Sequence, residues 1–393
     1  MPAVLGDRSL FPDLTASAYL NHAAVSPLSL PVRQAVHAVL DDFAADGVGA
    51  VGKWMGARGE LRADLATWLG VTPDDIGLPP GTTRGIVDLA LAVPWTPGDR
   101  VITFRGEFPS NVTPWQTAVR RFGGEGIELP LDGFRDGSGD GLAAVEQALR
   151  GGGVRVVAAS AVQFRDGLRM PLAELGALAH AHGAWLFVDA IQGLGAVPLD
   201  LSAVDMLVAG GHKFLMGCDG VAVAMARPAV REALTPLTAG WLSHPDALDF
   251  LFAPGLLRYD KPLLATLDWM EGGVQSTVAM AALHASVRLL RSLTVPAIYA
   301  HVQGLHDALE EPLQALGLRS LRASDPAARS ATLSFAAPDG VDVAELARAL
   351  GERGVAVSTP DGCLRLAPHW PNGSEEVATV VEGMAEALAA QRP

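Results

Sequence analysis

Only three lysines occur in the 393-residue chain, Lys53, Lys213 and Lys261, while arginine supplies the rest of its 29 positive charges. A lysine amine can shed its proton and attack a carbonyl carbon, whereas a guanidinium stays charged at any accessible pH. Each remaining lysine therefore asks for a reason, and Lys213 has the most informative surroundings. It follows the apolar run Met206 to Val208, inside Gly210-Gly211-His212-Lys213-Phe214. Apolar, glycine-flanked surroundings desolvate an amine and lower its pKa toward the range where the free base is available. Twenty-four residues earlier, Trp185-Leu186-Phe187-Val188 ends in Asp189, with Gln192 just beyond. An aspartate ending a buried strand also serves as a helix cap, so its meaning comes from the lysine. An amine nucleophile and a carboxylate in one crevice are what pyridoxal 5'-phosphate requires. The amine forms a Schiff base with the aldehyde, and the carboxylate keeps the pyridine nitrogen protonated, so that the ring accepts electrons from the substrate Cα. Its phosphate needs donors at a helix start. Pro80-Gly81-Thr82-Thr83-Arg84-Gly85 offers amides and two hydroxyls, although a plain N-cap reads the same way.

Elements must carry these groups to one place. From about residue 76 helical and strand patterns alternate. Helix Thr83–Val93 precedes strand Arg100–Phe104, and helix Pro114–Phe122 precedes the apolar stretch Gly126–Pro130. Helix Gly141–Arg150 leads to strand Val154–Ala159, and helix Pro171–His182 to strand Ala184–Val188. Strands Met206–Val208 and Val221–Met225 complete the series. Apolar strands separated by helices predict a parallel sheet covered on both faces. Ligands sit outside the carboxyl ends of such strands, where Asp189 and Lys213 both emerge. Before the series, helices are expected from Pro31 and over Leu61–Leu69, the latter stopping at Gly70. After it, an irregular Pro- and aromatic-rich stretch, Trp241–Pro262, leads to a helix over Val278–Leu290. The last hundred residues read as a small α+β unit: strand Ala331–Phe335, helix Val341–Arg353, strands Val355–Ser358 and Cys363–Leu366, helix Ser374–Gln391. Asp132–Gly141 is read as a solvated hairpin, since no bidentate glutamate follows where a calcium loop needs one.

Composition narrows the function classes. Hydrophobic residues make up 49% and charged residues 18% of the chain, enough apolar material for a large core. A formal charge of −14 repels phosphate backbones and argues against a nucleic-acid partner. The longest nearly uninterrupted apolar stretch, Val156–Val162, is far short of the ~20 residues a membrane helix needs. Cys218 and Cys363 are too few and too far apart in sequence for a disulfide framework or a cysteine metal site. No metal site, no membrane association and a cytoplasmic location are expected. G-x-x-x-x-G-K-[ST] does not occur, which weakens a nucleotide-dependent reading.

A set of segments in fixed order adds a resemblance. They are Tyr19–Ala24, Gly81–Thr83, Glu107–Asn111 with Pro114-Trp115-Gln116, Val162–Gly167, Asp189-Ala190-Ile191-Gln192, Gly211-His212-Lys213, Gly240-Trp241, Glu271-Gly272-Gly273 and Cys363–Asn372. Over about 20–372 the chain resembles the class V branch of fold-type I pyridoxal-phosphate enzymes, which includes cysteine desulfurases, kynureninase and isopenicillin N epimerase. The resemblance implies an α/β fold with a large domain over 19–280 built on a mainly parallel seven-stranded sheet. A small α+β domain over 281–393 and an N-terminal arm over 1–18 joining it complete the expectation. It implies a homodimer with the active site at the interface and an amino acid as substrate.

The resemblance also assigns roles. Lys213 is the Schiff-base lysine and Asp189 the partner of the pyridine nitrogen. Gln192 bonds the phenolic oxygen with Gln163 nearby, and Thr82, Thr83 and His212 bind phosphate. Arg365 grips the substrate carboxylate, with Asn21, His22 and Trp241 near the substrate. Three departures matter. Phe108 stands where the desulfurases carry a histidine stacked on the ring, so it stacks without moving a proton. Gly210 replaces a common serine, and Val274 replaces a threonine given to the partner's phosphate, so Gln275 or Ser276 must substitute. The desulfurase loop cysteine is missing, and Cys363 lies in an apparent strand beside Arg365, read as structural. Transamination is the first expectation, a lyase or an epimerase the alternatives, and persulfide-forming desulfuration is disfavoured.

Overall fold

The computed structural model describes residues 2–135 and 137–391. Residues 1, 136 and 392–393, which fall within the expected arm, the Asp132–Gly141 loop and the expected C-terminal domain, lie outside the described residues. The chain starts with β1 (Ala18–Tyr19), α1 (Leu30–Asp46), α2 (Ala50–Leu69), β2 (Ile76–Gly77), α3 (Thr82–Ala92) and β3 (Arg100–Phe104). It continues through α4 (Thr113–Arg121), β4 (Glu125–Leu129), α5 (Asp140–Arg150), β5 (Val154–Ser160), α6 (Leu172–Ala181) and β6 (Trp185–Asp189). Then come β7 (Met206–Gly210), β8 (Ala222–Ala226), α7 (Pro228–Ala233), α8 (Thr277–Leu293), α9 (Val295–Ala315) and β9 (Arg319–Ser320). β10 (Leu333–Ala336), α10 (Val343–Glu352), β11 (Val355–Ala356), β12 (Leu364–Leu366) and α11 (Glu376–Ala389) complete it.

Seven strands form the central sheet in the order β2-β8-β7-β6-β5-β3-β4. β4, β3, β5, β6 and β7 run parallel, β8 is antiparallel to β7, and β2 is antiparallel to β8. The mainly parallel seven-stranded sheet is therefore as expected. Its two faces follow from the period of two along each strand. Leu186 and Val188 join one core with Val157, Ala159, Leu207 and Ala209. Phe187 joins the opposite core with Val156, Ala158, Val208, Ile86 and Trp115. α3 lies close on that second face because Gly85 has no side chain: a Cβ there would fall 3.0 Å from Val208 Cγ1. Ser160 and Asp189 are register partners at the carboxyl ends of β5 and β6, and Asp189 pairs with Val208 on β7. Three strand ends thus deliver Ser160, Asp189 and the Lys213 loop to one edge.

A three-stranded antiparallel sheet, β12-β10-β9, forms a separate layer. Its core gathers Leu309 and Leu313 of α9, Leu346 and Leu350 of α10, and Val380 and Met384 of α11. Ala18 and Leu20 belong to this core, and β1 pairs in parallel with β11. Asn21 then bridges Ala367, just past β12.

Several elements differ from the sequence reading. α2 begins at Ala50 rather than Leu61. Gly52, Gly56 and Gly59 break its apolar periodicity, and packing on α8 holds it helical where propensity does not. It ends at Gly70 in the left-handed conformation (φ 68°), as a C-terminal glycine should. α9 was not assigned from sequence, since Pro312 lies inside it and reads as a breaker. Val355–Ser358 is a two-residue strand pairing with β1, outside the three-stranded sheet. The expected hairpin at Asp132–Gly141 is a 3-10 turn, Asp132–Phe134, leading into α5. No single helix among the described residues is long and apolar enough to cross a membrane.

Phe187 is fully buried, with its ring 4.7 Å from that of Trp115. Phe187→Ala leaves a cavity in the centre of the sheet and is expected to destabilise the protein by about 3–5 kcal/mol. A lower urea midpoint with an unchanged denaturant slope is the check.

Candidate active site

Asp189 and Lys213 come together where β6 and β7 end. Asp189 is 2% exposed, and one carboxylate oxygen accepts the Ile191 amide at 3.0 Å. Burial pushes its carboxyl up to about 7; the Ile191 amide and the Lys213 charge oppose the rise and the Glu107 charge adds to it. Burial brings the Lys213 amine down to about 8, with the Asp189 carboxylate opposing this and Arg365 reinforcing it. Each group thus feels the other's charge, and both titrate near neutrality. Phe108 lies beside them, its ring centroid 5.5 Å from Lys213 Nζ. It packs edge-on against Phe164 and is held at the start of the turn Pro109–Asn111.

A buried acid that sequence reasoning did not single out underlies this pair. Glu107 accepts the Ser160 amide at 2.7 Å, the Ser160 hydroxyl, and the Gln163 side-chain amide at 2.9 Å. Burial raises its carboxyl despite these donors. Its position directly before Phe108 was the available signal, but no spacing rule shows that a loop acid will cap a strand two elements away.

The remaining polar groups are notable for what they lack. Thr82 Oγ1, Gln163 Oε1 and Gln192 Oε1 are buried without hydrogen-bond partners. Gln163 is fixed by Glu107, and Gln192 by a 3.1 Å bond from its amide to the Ala23 carbonyl. A buried polar atom left unpaired costs about 1–3 kcal/mol, so three of them near one acid–amine pair mark the seat of a polar ligand. Space is provided as well. A Cβ on Gly210 would fall 2.6 Å from Thr82 Oγ1, so the absent serine side chain leaves room for the threonine hydroxyl. Thr82 and Thr83 open α3, and Thr83 shares a 2.8 Å bond with Ser110. His212 is held below its ordinary pKa by burial and by Lys213. These residues fit a phosphorylated pyridine aldehyde.

Arg365 supplies the other half of the site. It is 5% exposed; its Nε donates to Ser358 Oγ at 3.1 Å and its Nη1 to the Phe164 carbonyl at 2.6 Å. Among the described residues no carboxylate pairs with it, and burial lowers its guanidinium to about 10. A buried cation facing neutral acceptors is a ready seat for a carboxylate. The segment carrying Gln163 ties this arginine to the sheet, because Ser334 Oγ donates to the Arg165 carbonyl and Arg165 pairs with Asp361 at 3.0 Å.

The other expected residues are placed as follows. Asn21 is half-buried with Oδ1 unpartnered, beside Ala367. His22 is fully enclosed, with Nδ1 2.7 Å from Ser26 Oγ. Ser276 caps α8 by accepting the Ala279 amide at 3.2 Å. Trp241 is 44% exposed, and its ring packs edge-on against Phe250. Cys363 is buried, directly before β12, and burial pushes its thiol up, away from the thiolate a sulfur nucleophile needs. Cys218 shows the same upward shift, also from burial.

Comparison with known proteins bears on the family and the fold. A family model described as aminotransferase class-V matches residues 18–372. An uncharacterized aminotransferase of Bacillus subtilis is 26% identical over 388 residues, 96% of each chain. A probable cysteine desulfurase of Pseudomonas aeruginosa is 30% identical over 378 residues, 91% of this chain and 88% of its own. The solved structure of a cystine C–S lyase in complex with cysteine persulfide superposes with a TM-score of 0.84 at 23% identity. It spans 96% of this chain and 99% of that one, a likeness of fold.

Lys213 attacks an aldehyde only as the free amine. Pyridoxal phosphate added to apoprotein is therefore expected to develop its lysine-linked absorbance faster as pH rises through about 8, not 10.5 as for an ordinary lysine. Stopped-flow spectra over that range test this.

Proposed function

Since the chain belongs to the aminotransferase class-V family of pyridoxal-phosphate-dependent, fold-type I enzymes, we propose that it transfers the amino group of an amino acid bearing a free carboxylate. One observation carries the reading: a buried arginine without a carboxylate partner lies close enough to the Lys213 amine to depress its basicity. On this reading, carboxylate recognition and a proton-carrying amine would act side by side.

Pyridoxal phosphate, when bound, supplies an aldehyde for imine exchange and an electron-accepting ring that acidifies the substrate Cα–H. The proposed holding residues are Thr82, Thr83 and His212 at the phosphate, Asp189 at the ring nitrogen, Gln192 and Gln163 at the ring's oxygen edge, and Phe108 against its face. Asp189, raised in basicity by burial, holds a proton shared with a ring nitrogen more firmly than a solvated aspartate does. Arg365 fixes the substrate by its carboxylate, with Phe164 and Ser358 holding the guanidinium in position. With the cofactor bound, Lys213 Nζ would be the group that takes the proton from the substrate Cα and carries it on that face.

Phe108 has no proton to give, which weighs against inversion at Cα, a reaction needing a donor on the opposite face. Cys363, buried and raised in pKa, weighs against persulfide formation on the enzyme. The likeness to a probable cysteine desulfurase supports a second reading, C–S cleavage with sulfide leaving directly and no enzymic thiol involved. We further propose a division into an arm (1–18), a large domain (19–280) and a small domain (281–393). The chain would act as a homodimer in which Gln275 or Ser276 serves the partner's site. The exposed Phe252, Leu257, Tyr259 and Val274 support such pairing.

The tests are direct. Protein reconstituted with pyridoxal phosphate should absorb at about 420 nm, and Lys213→Ala should lose that band while still folding. Amino acids supplied with a keto-acid acceptor should yield a new amino acid. Sulfide and pyruvate without any need for acceptor would establish the lyase instead. Arg365→Leu should raise KM for the amino acid by about 10- to 100-fold, the loss of a charge-assisted bond, with cofactor absorbance kept.

A further inference from the structure

The loop carrying Lys213 is held by an unusual set of contacts. β7 ends at Gly210, and the next turn closes on itself: Met216 N donates to the Lys213 carbonyl at 2.8 Å and Gly217 N to the Gly211 carbonyl at 2.8 Å. Met216 sits in the left-handed region at φ 52°, a strained position for a side chain with a Cβ. Outside groups then secure four consecutive carbonyls. Ser26 N donates to His212 O at 2.8 Å and Ser26 Oγ to Lys213 O at 2.7 Å. His369 Nε2 lies 3.0 Å from Phe214 O, and Ser286 Oγ donates to Leu215 O at 2.6 Å.

Proton bookkeeping fixes the two imidazoles. Ser26 has one hydroxyl proton and gives it to Lys213 O, so the 2.7 Å contact with His22 requires His22 Nδ1 to carry its own proton and donate it. His369 Nδ1 accepts the Trp370 amide at 2.7 Å, which leaves the proton on Nε2, facing Phe214 O. Burial keeps both rings well below their ordinary pKa, hence neutral and in these tautomers.

The segment that brings Ser26 is the same one attached to the arginine's strand. Ala367, two residues beyond Arg365, donates to Leu20 O at 2.7 Å and accepts from His22 N at 3.1 Å. Residues 20–26 thus run from the end of β12 directly to the Lys213 carbonyl. On the reading of Lys213 and Arg365 given above, we propose that Ser26, oriented by His22, is a positioning residue. Together with His369 it fixes the Lys213 backbone relative to Arg365, and so sets the distance between carboxylate recognition and proton transfer at Cα. A displacement of one ångström at that distance is large in kinetic terms.

Ser26→Ala removes one donor and leaves Met216 N on the Lys213 carbonyl, so that carbonyl keeps a partner while the His22 Nδ1–H loses its acceptor. In the holoenzyme kcat is expected to fall by about 10- to 100-fold, with cofactor affinity unchanged. Independently of turnover, the lysine-linked absorbance should form more slowly when apoprotein meets pyridoxal phosphate. Ser26→Cys, close in volume and a weak donor, should show the same direction and serves if the alanine variant does not fold. Trp95→Phe is the stability control, since it deletes a buried 2.7 Å bond to the Ala90 carbonyl at the far edge of the sheet. If the Ser26 variants lose only thermal stability, as Trp95→Phe should, with kcat and absorbance kinetics of the wild type, the proposal is overturned. Failure of the underlying reading would look different, because the wild type itself would then take up no cofactor.

Discussion

Taking ionisable groups out of water at the end of a sheet sets the terms for everything around them. Glu107, Asp189 and Arg365 are buried and Lys213 is partly buried, and a charge in such surroundings must be answered by a partner or given up. Glu107 is answered within the chain, by Ser160 and Gln163. The other three are answered only in part: Asp189 by one amide, Lys213 by an aspartate it shares charge with, Arg365 by two neutral oxygens. On the proposed function, each of them would be completed by the cofactor or by the substrate. A protonated pyridine suits Asp189, an aldehyde suits a neutral amine, and a substrate carboxylate suits Arg365. The unpaired Thr82, Gln163 and Gln192 oxygens lie in the same incomplete polar set.

The fold is arranged to make that incompleteness tolerable. Parallel strands bring Ser160 and Asp189 into register, and Gly85 lets α3 sit close enough on Val208 for its first turn to reach the same edge. Two short segments join this edge to the layer carrying Arg365. Residues 163–167 present Gln163 on one side and the Phe164 carbonyl to Arg365 on the other. Residues 20–26 run from Ala367 to the Lys213 loop. The separation of acid, amine and guanidinium therefore depends on hydrogen bonds between segments remote in sequence, not on any one element.

How much of this could be read in advance varied by residue. Lys213 stood out through the scarcity of lysine and Asp189 through its place at the end of an apolar run. Both readings used local composition, and local composition decides where a strand ends. Phe108 was legible as a stacking group, and its ring does lie by Lys213 Nζ. Glu107 was passed over because its partners, Ser160 and Gln163, lie more than fifty residues away. Ser26 was not singled out, and α9, which has Pro312 inside it, was not expected.

The amino-acid sequence by itself determined the alternation of helices and buried strands and, through short segments resembling a known family, the family and the cofactor class, and it put forward Lys213 and Asp189 as the reacting pair. These follow from periodicity, composition and short motifs, which act over a few residues. Tertiary structure alone decided how basic the pair is, which oxygens remain unpaired, that Arg365 has no acid paired with it among the described residues, and that Ser26 touches the lysine's own carbonyl. Those properties come from burial and from contacts between distant segments, and desolvation is a property of the packed neighbourhood.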